Sequence, residues 1–397
     1  MKVVQINTFP YKATGSIMMN LHRFMLSKGI DSYVVWGRGR NPENDHEISI
    51  EDKLGIKWHG LYTRLTDKTG FASQRATKDL VKKLEEIKPD IIHLHNLHGY
   101  YINLEILFSY IKEKNIKTIW TLHDCWAFTG HCAYFDAVSC DKWKGGCYNC
   151  EQLETYPASK ILDNSKWNWK KKKELFKGLN ITIVTPSNWL ADLVQQSFLS
   201  EYPTKVIHNG IDLNIFNPTT SDFRKNSNLT GKFIILGVAS EWTERKGLRD
   251  FIRLDEMLND NYKIVIVGLT KKQINQVPDS IIAIERTNNL NELVELYTTA
   301  DIFFNPTYED NFPTTNLEAL ACGTPVCTYR TGGSPESVDE NCGIVLEQGE
   351  VEQFAHLLNR NVNPKFGKNF DVENVMSKFK KEDMLEKYIY LYDGIEF

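Results

Sequence analysis

The chain has 397 residues, of which 42% are apolar, 25% charged and 12% aromatic, a composition that excludes disordered and fibrous proteins and suggests two domains. Forty-seven basic against 51 acidic side chains give a formal charge of −4, without the basic excess of a nucleic-acid-binding protein, so we expect no nucleic-acid partner. The sequence begins without the pattern of a signal peptide, and no apolar run approaches the ~20 residues that span a bilayer, so we expect a cytoplasmic protein.

Strands and helices alternate from the start of the sequence, which is typical of a parallel α/β sheet. The predicted elements are strand 2–6, helix 17–26, strand 31–36, helix 76–87, strand 90–95, helix 104–113, strands 117–122 and 181–185, and helix 189–195. They predict an N-terminal domain over residues 1–205, with a cysteine-rich insertion at about 125–155.

A polar stretch at residues 217–228, where hydrophobic periodicity disappears, predicts a domain junction. The second series is strand 233–238, helix 248–258, strands 263–267 and 281–285, helix 290–298, strand 301–305, helix 315–321 and strand 325–328. This series predicts a second α/β domain over residues 206–370, followed at 371–397 by one amphipathic helix that crosses back to the first domain. A cleft between two such domains is the expected active site.

Residues 305–326 run from a strand end through a polar loop into a helix, and they include two acidic residues, Asp310 and Glu318, separated by seven others. Free N–H groups at the start of that helix, near Thr314, Thr315 and Asn316, could bind a diphosphate. Glu318 could accept hydrogen bonds from a ribose diol, and Asp310 from sugar hydroxyls. Alternatively, Asp310 only caps the loop and Glu318 only occupies a helical turn.

This stretch resembles the donor-site signature of family 4 glycosyltransferases, in which two acidic residues are separated by seven others. The resemblance covers nearly the whole chain and implies the GT-B fold, an α/β fold of two facing Rossmann-like domains. It also implies retaining transfer of a hexose from a UDP- or GDP-linked donor, with Asp310 and Glu318 among the catalytic residues and Phe312 in the donor site. This sequence has Asp310 where the family mostly has glutamate, and Pro313 where glycine is usual.

A second stretch, residues 237–248, resembles the family's other donor loop, in which cations neutralise the diphosphate. Lys246 matches the family's lysine, and Arg245 is the nearest replacement for an arginine that the sequence lacks. Fixed cations would stabilise the charge that develops on the leaving diphosphate. The alternative is an exposed pair of charges at a helix start. The resemblance further implies that Glu285 and Arg286, at a strand end, contact the base of the donor.

In the first domain, Gly15 and Ser16 follow the first strand and open the first helix, where a glycine lets a ligand approach the backbone. A plain turn is the alternative there. His123 ends a strand at the edge that faces the predicted cleft, and it matches the family's active-site histidine, which would hydrogen-bond the donor sugar. Its alternative is a core histidine that bonds only the backbone. Nearby histidines at 93, 95 and 98 are interpreted as cleft lining.

Four cysteines, Cys132, Cys140, Cys147 and Cys150, fall within 19 residues that contain little apolar material. Four thiolates at this spacing fit a tetrahedral structural zinc, with disulfides or plain reduced thiols as the alternatives. Downstream, five lysines and two tryptophans occupy residues 166–173. This run could contact anionic headgroups at the inner face of the cytoplasmic membrane, or it could be a solvated helix start.

The predicted function is therefore transfer of a hexose to a surface polysaccharide or a lipid-linked oligosaccharide. The sequence has no Asp-x-Asp pair, which argues against the metal-dependent glycosyltransferase design, so no catalytic cofactor is expected beyond the nucleotide sugar, itself a substrate. The alternatives are a non-hydrolysing sugar-nucleotide epimerase of the same fold and a two-lobed sugar-binding protein. An epimerase would leave the cysteine insertion and the lysine run unexplained.

Overall fold

The computed structural model describes residues 1–359 and 370–396. Residues 360–369 of the predicted second domain, and Phe397 of the predicted C-terminal helix, lie outside the described residues. The chain divides into two compact units. Unit 1 is Met1–Ile207 together with the C-terminal segment that starts at Leu385, and unit 2 is His208–Met384.

Unit 1 contains a parallel sheet of seven strands, in the spatial order β3-β2-β1-β4-β5-β6-β7. The strands are β1 Lys2–Asn7, β2 Asp31–Trp36, β3 Glu47–Ser49, β4 Ile91–Leu94, β5 Lys117–Thr121, β6 Ile181–Thr185 and β7 Thr204–Val206. The register pairs Val3 with Ser32 on one side and with Ile91 on the other. Because the central strands are buried on both faces, they read as nearly continuous apolar runs, and the prediction of a parallel α/β sheet is confirmed.

The helices of unit 1 are α1 Lys12–Ser27, α2 Lys53–Thr66, α3 Gln74–Ile87, α4 Leu104–Lys114, α5 Lys142–Gly145, α6 Ser165–Leu175 and α7 Asn188–Gln196. Polar side chains start three of them, since Asp52, Asn103 and Ser187 each accept a hydrogen bond from an amide of the first turn. Helix α1 begins five residues before its predicted start at residue 17. Helices α2 and α5 were not predicted, and α6 corresponds to the helix start that was one alternative for residues 166–173.

Unit 2 repeats the design with six parallel strands in the order β10-β9-β8-β11-β12-β13. The strands are β8 Phe233–Val238, β9 Tyr262–Val267, β10 Ile282–Ile284, β11 Ile302–Asn305, β12 Val326–Tyr329 and β13 Gly343–Leu346. The helices are α8 Phe223–Asn226, α9 Leu248–Met257, α10 Lys271–Ile274, α11 Leu290–Thr299, α12 Thr314–Ala321, α13 Val351–Asn359 and α14 Val372–Met376. Apolar residues of these elements form two cores, which lie on opposite faces of the sheet.

The C-terminal segment is not the single helix that its amphipathic pattern predicted. Helix α14 ends at Met376, and a second helix, α15 Lys381–Asp393, begins five residues later. Between them the backbone pairs with Ile211 instead of with itself: the Ile211 amide donates to Phe379 O at 2.8 Å, and the Lys381 amide donates to Ile211 O at 3.0 Å. These distant partners replace helical hydrogen bonds and explain the break. The part of α15 from Leu385 onward belongs to unit 1.

Candidate active site

Polar side chains gather at the C-terminal ends of three adjacent strands of unit 1. Gln5 lies on β1, His95 directly follows β4, and His123 follows β5 after one residue. Parallel strands end at the same edge of a sheet, so these residues come together as expected. A pocket at this edge is lined by His95, Asn96, Leu97, His98, Trp120, Leu122, His123, Asp124, Trp126 and Ala127.

A chain of hydrogen bonds determines which nitrogen of His123 carries the proton. Gln5 Nε2 donates to the carbonyl of Met18 at 3.2 Å, so its Oε1 accepts from His95 Nε2 at 3.3 Å. Burial lowers the pKa of His95 well below its ordinary value and that of His123 to about 4, so both rings are neutral at pH 7. His95 Nδ1 therefore accepts from His123 Nε2 at 3.1 Å, which leaves His123 Nδ1 as an unprotonated acceptor.

Asp124 supplies a negative charge beside this neutral ring. His98 Nε2 lies 2.7 Å from Asp124 Oδ2, and the amide of Trp126 donates to Asp124 Oδ1 at 2.9 Å. Burial raises the pKa of the Asp124 carboxyl, but the contacts with His98 and the Trp126 amide lower it by more. The Asp124 side chain is thus a carboxylate that fixes the loop after β5, and Tyr156 Oη holds the other side of the His98 ring at 3.1 Å.

His93 does not line the pocket, contrary to its interpretation as cleft lining, whereas His95 and His98 do. It is completely buried, and burial lowers its pKa to about 3. Its Nδ1 lies 2.6 Å from the hydroxyl of Tyr392 on α15, and its Nε2 lies 2.8 Å from Thr121 Oγ1. Thr121 in turn bonds Tyr388 at 3.1 Å. This set of neutral polar groups fastens the end of α15 to the sheet of unit 1.

Gly15 and Ser16 lie near the start of α1. A Cβ on Gly15 would come within 2.5 Å of the carbonyl oxygen of Phe9, so close packing of α1 against the preceding loop requires a glycine. Asn7 holds this loop by donating to Phe9 O at 3.1 Å and to Thr14 Oγ1 at 3.2 Å. Gly15 therefore has a packing role, while Ser16 is exposed on the helix. A contact of either residue with a ligand stays a prediction.

In unit 2, the two loops that the sequence singled out meet at the C-terminal ends of β8 and β11. Lys246 Nζ bonds the Asp310 carboxylate, and Arg245 Nη1 donates to the carbonyl of Glu309 at 2.7 Å. The amide of Tyr308 returns a bond to Arg245 O at 2.7 Å. Lys246 and Asp310 are 21% and 15% exposed, so they remain accessible to a ligand while paired. The structure thus brings together three predicted site residues that lie about 65 positions apart.

The approach of these loops depends on Gly247, whose φ of +74° places it in the left-handed region. A Cβ at this position would lie 2.1 Å from the carbonyl oxygen of Pro306, at the end of β11. The left-handed backbone and the lack of space for a Cβ both require a glycine here. A side chain would push the loop that carries Arg245 and Lys246 away from Asp310. Gly247 therefore fixes the geometry of the cationic loop.

Helix α12 positions Glu318, which is only partly exposed. Tyr297 donates to Glu318 Oε2 at 2.8 Å, and the side chain of Thr314 also bonds the carboxyl. Burial raises the pKa of Glu318, and the two hydrogen bonds oppose that rise. At the start of α12, Pro313 caps the helix without a side-chain acceptor, so the first amides, including that of Thr315, face no capping side chain. An anion could take that place.

Two other predicted donor-site residues have their side chains inside unit 2. Asn316 is completely buried: it accepts from Asn305 at 2.8 Å and donates to Ser334 at 3.1 Å and to Ser337 at 3.0 Å. These bonds tie α12 to β11 and to the loop after β12, so the side chain of Asn316 positions the helix. Phe312 is 4% exposed and lies edge-on to the ring of His208, at 4.9 Å between centroids.

Glu285 and Arg286 are exposed and follow β10, which is the edge strand of the sheet. Their distance in the sheet order from β11 places them away from the Lys246–Asp310 pair. A role in binding the base of a donor stays a prediction.

Sequence reasoning missed His208 and Glu336, whose side chains approach to 3.3 Å beside Phe312. It also missed Gln5 and Tyr297, which orient His123 and Glu318. Gln5 is a single polar residue among apolar ones in its strand, a signal that marks a buried hydrogen bond without naming its partner, whereas the helix of Tyr297 contains many polar residues and gives no such signal.

The four clustered cysteines lie close to one another, but they do not form a metal-binding arrangement. The thiols of Cys132 and Cys150 hydrogen-bond each other, and Cys147 Sγ accepts from the amide of Gly130 at 3.1 Å. Over residues 1–359 and 370–396, no three side chains of His, Cys, Asp or Glu are placed to hold a metal ion. All eight cysteines are free thiols, so the structure does not show the disulfide alternative. The zinc site stays a prediction.

The lysine run at residues 166–173 is only partly a surface. Lys172 and Trp169 are buried, at 1% and 7% exposure, because they lie on the inner side of α6. Lys172 donates to Trp126 O at 2.7 Å and to Thr129 O at 3.2 Å, and burial lowers its pKa to about 7. Four of the five lysines of the run are at least partly exposed, so contact of its outer side with headgroups stays a prediction.

Comparison with known sequences gives the family. Residues 14–215 match the profile described as Glycosyltransferase Family 4, and residues 219–373 match Glycosyl transferases group 1. The chain belongs to glycosyltransferase family 4. The predicted family and the prediction of a nucleotide-sugar-dependent glycosyltransferase are thereby confirmed.

Individual proteins agree with this assignment. The glycosyltransferase is 25% identical to WcaC of Escherichia coli (strain K12), a protein named for a glycosyl transferase of colanic acid biosynthesis, over 100% of both chains. Sucrose-phosphate synthase from Thermosynechococcus elongatus superposes with a TM-score of 0.72 at 15% identity, over 99% of this chain and 98% of that one. HepE of Anabaena in complex with UDP superposes with a TM-score of 0.68 at 14% identity, over 100% of both chains. The glycosyltransferase thus has the predicted GT-B fold.

Among the helices that the structure describes, none combines the length and the apolar character that crossing a bilayer requires.

Proposed function

We propose that this glycosyltransferase transfers a hexose, with retention of anomeric configuration, from a UDP- or GDP-linked donor to a surface polysaccharide or lipid-linked oligosaccharide. We place this reaction in the cytoplasm, at the inner face of the membrane. The end-to-end similarity to WcaC supports the choice of acceptor, and the likeness to HepE, solved with UDP, supports a nucleotide-sugar donor. The matches to two glycosyltransferase families disfavour an epimerase or a sugar-binding protein.

The observation that carries the proposal is the convergence of Arg245, Lys246 and Asp310 with the start of α12 at one edge of the unit 2 sheet. A diphosphate needs cations and free N–H donors, and Lys246 with the first amides of α12 can supply both. The Asp310 carboxylate holds Lys246 in place when no donor is bound, and it can accept bonds from the hydroxyls of the donor sugar.

The charge on the diphosphate increases during the reaction, which gives these cations a catalytic role. As the bond between the anomeric carbon and the phosphate oxygen breaks, its electron pair stays on that oxygen, and the leaving group gains about one negative charge. Fixed positive groups stabilise this state more than the ground state because they need no reorganisation. Arg245 and Lys246 are thus proposed to act on the leaving group.

Glu318 is proposed to bind the ribose of the donor. Its Oε2 already accepts from Tyr297, and its second oxygen can accept from a ribose hydroxyl. Tyr297 is completely buried and comes from α11, so it fixes the direction of the carboxylate. We place the exposed Glu285 and Arg286 near the base.

In unit 1, the unprotonated Nδ1 of His123 is proposed to accept a hydrogen bond from a hydroxyl of the transferred sugar. Its low pKa keeps the ring neutral, so it adds no charge that would repel the positive anomeric carbon of the transition state. The acceptor hydroxyl attacks on the face from which the diphosphate leaves, and its proton passes to the departing phosphate oxygen. This path retains the anomeric configuration, and the proton of the acceptor hydroxyl ends on the leaving phosphate.

For the cysteine cluster we propose a structural zinc held by Cys132, Cys140, Cys147 and Cys150, whose thiols would have to come closer together than they lie in the described residues. The contact between the thiols of Cys132 and Cys150 supports it, because the two residues are 18 positions apart and yet adjacent. Metal analysis of freshly purified, reduced protein should find one zinc per chain. A chain free of stoichiometric metal would reject the site.

The reaction is tested with a panel of UDP- and GDP-linked sugars, an undecaprenyl-linked oligosaccharide acceptor, and the variant Glu318→Gln. We expect one donor to give nucleotide release and transfer with retained configuration, read by NMR of the product. Glu318→Gln should lower kcat/KM by roughly 10- to 100-fold through loss of a charge-assisted hydrogen bond. Glu256→Gln, on the exposed face of α9, is the matched control and should change nothing. Equal activity of both variants would remove Glu318 from the site, and an inverted product would reject the retaining mechanism.

A further inference from the structure

Helix α2 has its apolar residues on the outside. Leu54, Trp58, Leu61 and Leu65 are 78%, 61%, 46% and 39% exposed. Their spacings of four, three and four residues place them on one face of the helix. Single exposed apolar residues are ordinary on protein surfaces, but four in one stripe, one of them a tryptophan, form a patch that requires an explanation.

The buried residues of α2 are not large apolar side chains, and none of the four stripe residues belongs to the apolar core of unit 1. Those buried residues are His59, Gly60 and Thr63. His59 Nδ1 lies 2.8 Å from Ser73 Oγ, and its Nε2 accepts from the amide of Gly70 at 3.0 Å. Burial lowers the pKa of His59 to about 4, so this anchor is uncharged at pH 7. The helix is held by hydrogen bonds on one side and presents its apolar side to the surroundings.

A loop extends the apolar stripe at the C-terminal end of α2. The amide of Lys160 donates to Arg64 O at 2.8 Å, and Asn164 Nδ2 donates to Thr66 O at 2.8 Å. These bonds hold the intervening residues, Ile161 and Leu162, against the helix end, where they are 65% and 49% exposed. Two elements that are distant in sequence therefore present apolar side chains at the same place.

Basic residues border this apolar surface. Lys53, Lys57 and Arg64 are exposed on α2 along one side of the stripe, and Lys160 is exposed beside Ile161. Four acidic residues lie at the two ends of this surface. Asp52 and Asp163 accept hydrogen bonds from backbone amides of Gly55 and of Cys150 and Ser165, Asp67 is buried, and Glu51 is half-buried. Apolar side chains flanked by lysine and arginine are typical of helices that lie in the interface of an anionic membrane.

We propose that α2, with the loop residues Ile161 and Leu162, binds the surface of an anionic lipid bilayer. The apolar stripe would enter the boundary between headgroups and acyl chains, and the basic border would contact anionic headgroups. A second copy of the chain packed antiparallel on this surface would bring the two basic borders together, which disfavours that dimer. The lysine run at residues 166–173, in which Asn168, Trp169 and Lys172 are buried, is a separate segment.

Vesicle co-sedimentation of the full chain tests the proposal. We expect binding to vesicles of phosphatidylcholine mixed with phosphatidylglycerol, about 10-fold weaker binding to phosphatidylcholine alone, and release by salt. The double variant Leu54→Ser/Trp58→Ser should lose at least about 10-fold in affinity through lost apolar burial. Ile215→Ser/Leu290→Ser, which removes two side chains of unit 2 with 41% and 43% exposure, is the matched control and should bind normally.

The basic border is tested separately. Lys53→Gln/Lys57→Gln should weaken binding to the anionic vesicles by about 10- to 30-fold, at roughly 1 kcal/mol per lysine. Lys82→Gln/Lys83→Gln, on the exposed side of α3, should not. Circular dichroism of each variant establishes that it is folded.

Equal vesicle binding by the Leu54/Trp58 variant and the wild type would overturn the proposal. A wild-type dimer that the same variant converts to a monomer, without any vesicle binding, would assign the surface to a second copy instead and would also overturn it. Either outcome would remove the support that this surface gives to a reaction at the membrane, but neither bears on the sugar transfer itself, because vesicle binding is measured without donor and acceptor.

Discussion

Unit 1 and unit 2 have the same parallel α/β design, and each has a carboxylate at the C-terminal ends of its strands, Asp124 and Asp310, yet the groups around that carboxylate differ. In unit 1, Gln5, His93 and His95 are buried, and the histidines have pKa values lowered by burial. In unit 2, Lys246 and Asp310 form an ion pair that is partly exposed. Burying a neutral polar group requires only a hydrogen-bond partner, whereas a charge must keep water or a counter-ion.

This difference indicates what each site can bind. A neutral acceptor such as His123 Nδ1 suits a sugar hydroxyl, whose recognition depends on hydrogen-bond direction. Lysine beside the start of a helix suits a diphosphate, whose recognition depends on charge. The two units thus divide the proposed reaction into sugar recognition and leaving-group stabilisation.

The largest expected effect that separates the two units is that of acid on stability. His59, His93 and His123 have folded-state pKa values of about 4, 3 and 4, below the ordinary 6.5. A depressed histidine pKa means that the unfolded chain binds more protons, so stability is full above pH 6.5 and falls toward pH 4. Each histidine should cost unit 1 about 2 kcal/mol by pH 5.

Hydrogen exchange followed by mass spectrometry, corrected for the intrinsic effect of pH, measures this loss in each unit. Peptides of β4 and β5 should lose protection at pH 5, while those of β8 and β11 should not. In unit 2, burial raises the pKa of Asp212, but the contact with Lys381 opposes this rise, and the pKa is lowered overall. The stability that this ion pair contributes is therefore present above the ordinary aspartate pKa and is lost only as the pH falls below it. His93→Gln, which keeps polar atoms near Tyr392 and Thr121, should reduce the acid sensitivity of unit 1. Equal loss in both units would contradict the comparison.

A smaller effect is expected from Gln5, a positioning residue that acts on His123 through His95. Gln5→Leu removes the acceptor for His95 Nε2 and with it the constraint on the tautomer of His123. We expect kcat to fall by about 3- to 10-fold, as for one neutral hydrogen bond, with the KM for the donor nearly unchanged.

Thr118→Val is the matched control for Gln5→Leu. It also removes one buried hydrogen bond, to Ile116 O at 3.0 Å, but near the N-terminal end of β5, away from the pocket. If both variants lower kcat equally, Gln5 contributes only to stability.

The sequence predicted most strands of both sheets, because buried parallel strands are continuous apolar runs. The bounds of β2, β6 and β8 agree with the structure to the residue. The sequence did not predict α2, whose buried face is polar and whose apolar face is exposed. Apolar residues usually mark the buried face of a helix, and in α2 this relation is reversed. The sequence also did not predict the break between α14 and α15, which depends on pairing with Ile211, a residue about 170 positions away.

The sequence predicted the charged residues of the candidate site but not the residues that hold them in position. Asp310 and Lys246 have a recognisable spacing within their own loops, and the structure joins them. Asn316 was expected to contact the donor, but its side chain is committed to Asn305, Ser334 and Ser337, which no local pattern reveals. Buried hydrogen bonds between distant segments are set by the fold, and a single sequence does not encode them locally.

Calorimetric titration with UDP and with GDP tests the central claim most directly, that the cationic loop of unit 2 holds the nucleotide diphosphate. One nucleotide should bind the wild type, and Lys246→Met should weaken that binding by about 10- to 100-fold. Lys271→Met, an exposed lysine at the start of α10, and His123→Phe in unit 1 should each leave the affinity within about twofold. Normal binding by Lys246→Met together with a large loss in His123→Phe would contradict the assignment of diphosphate binding to unit 2.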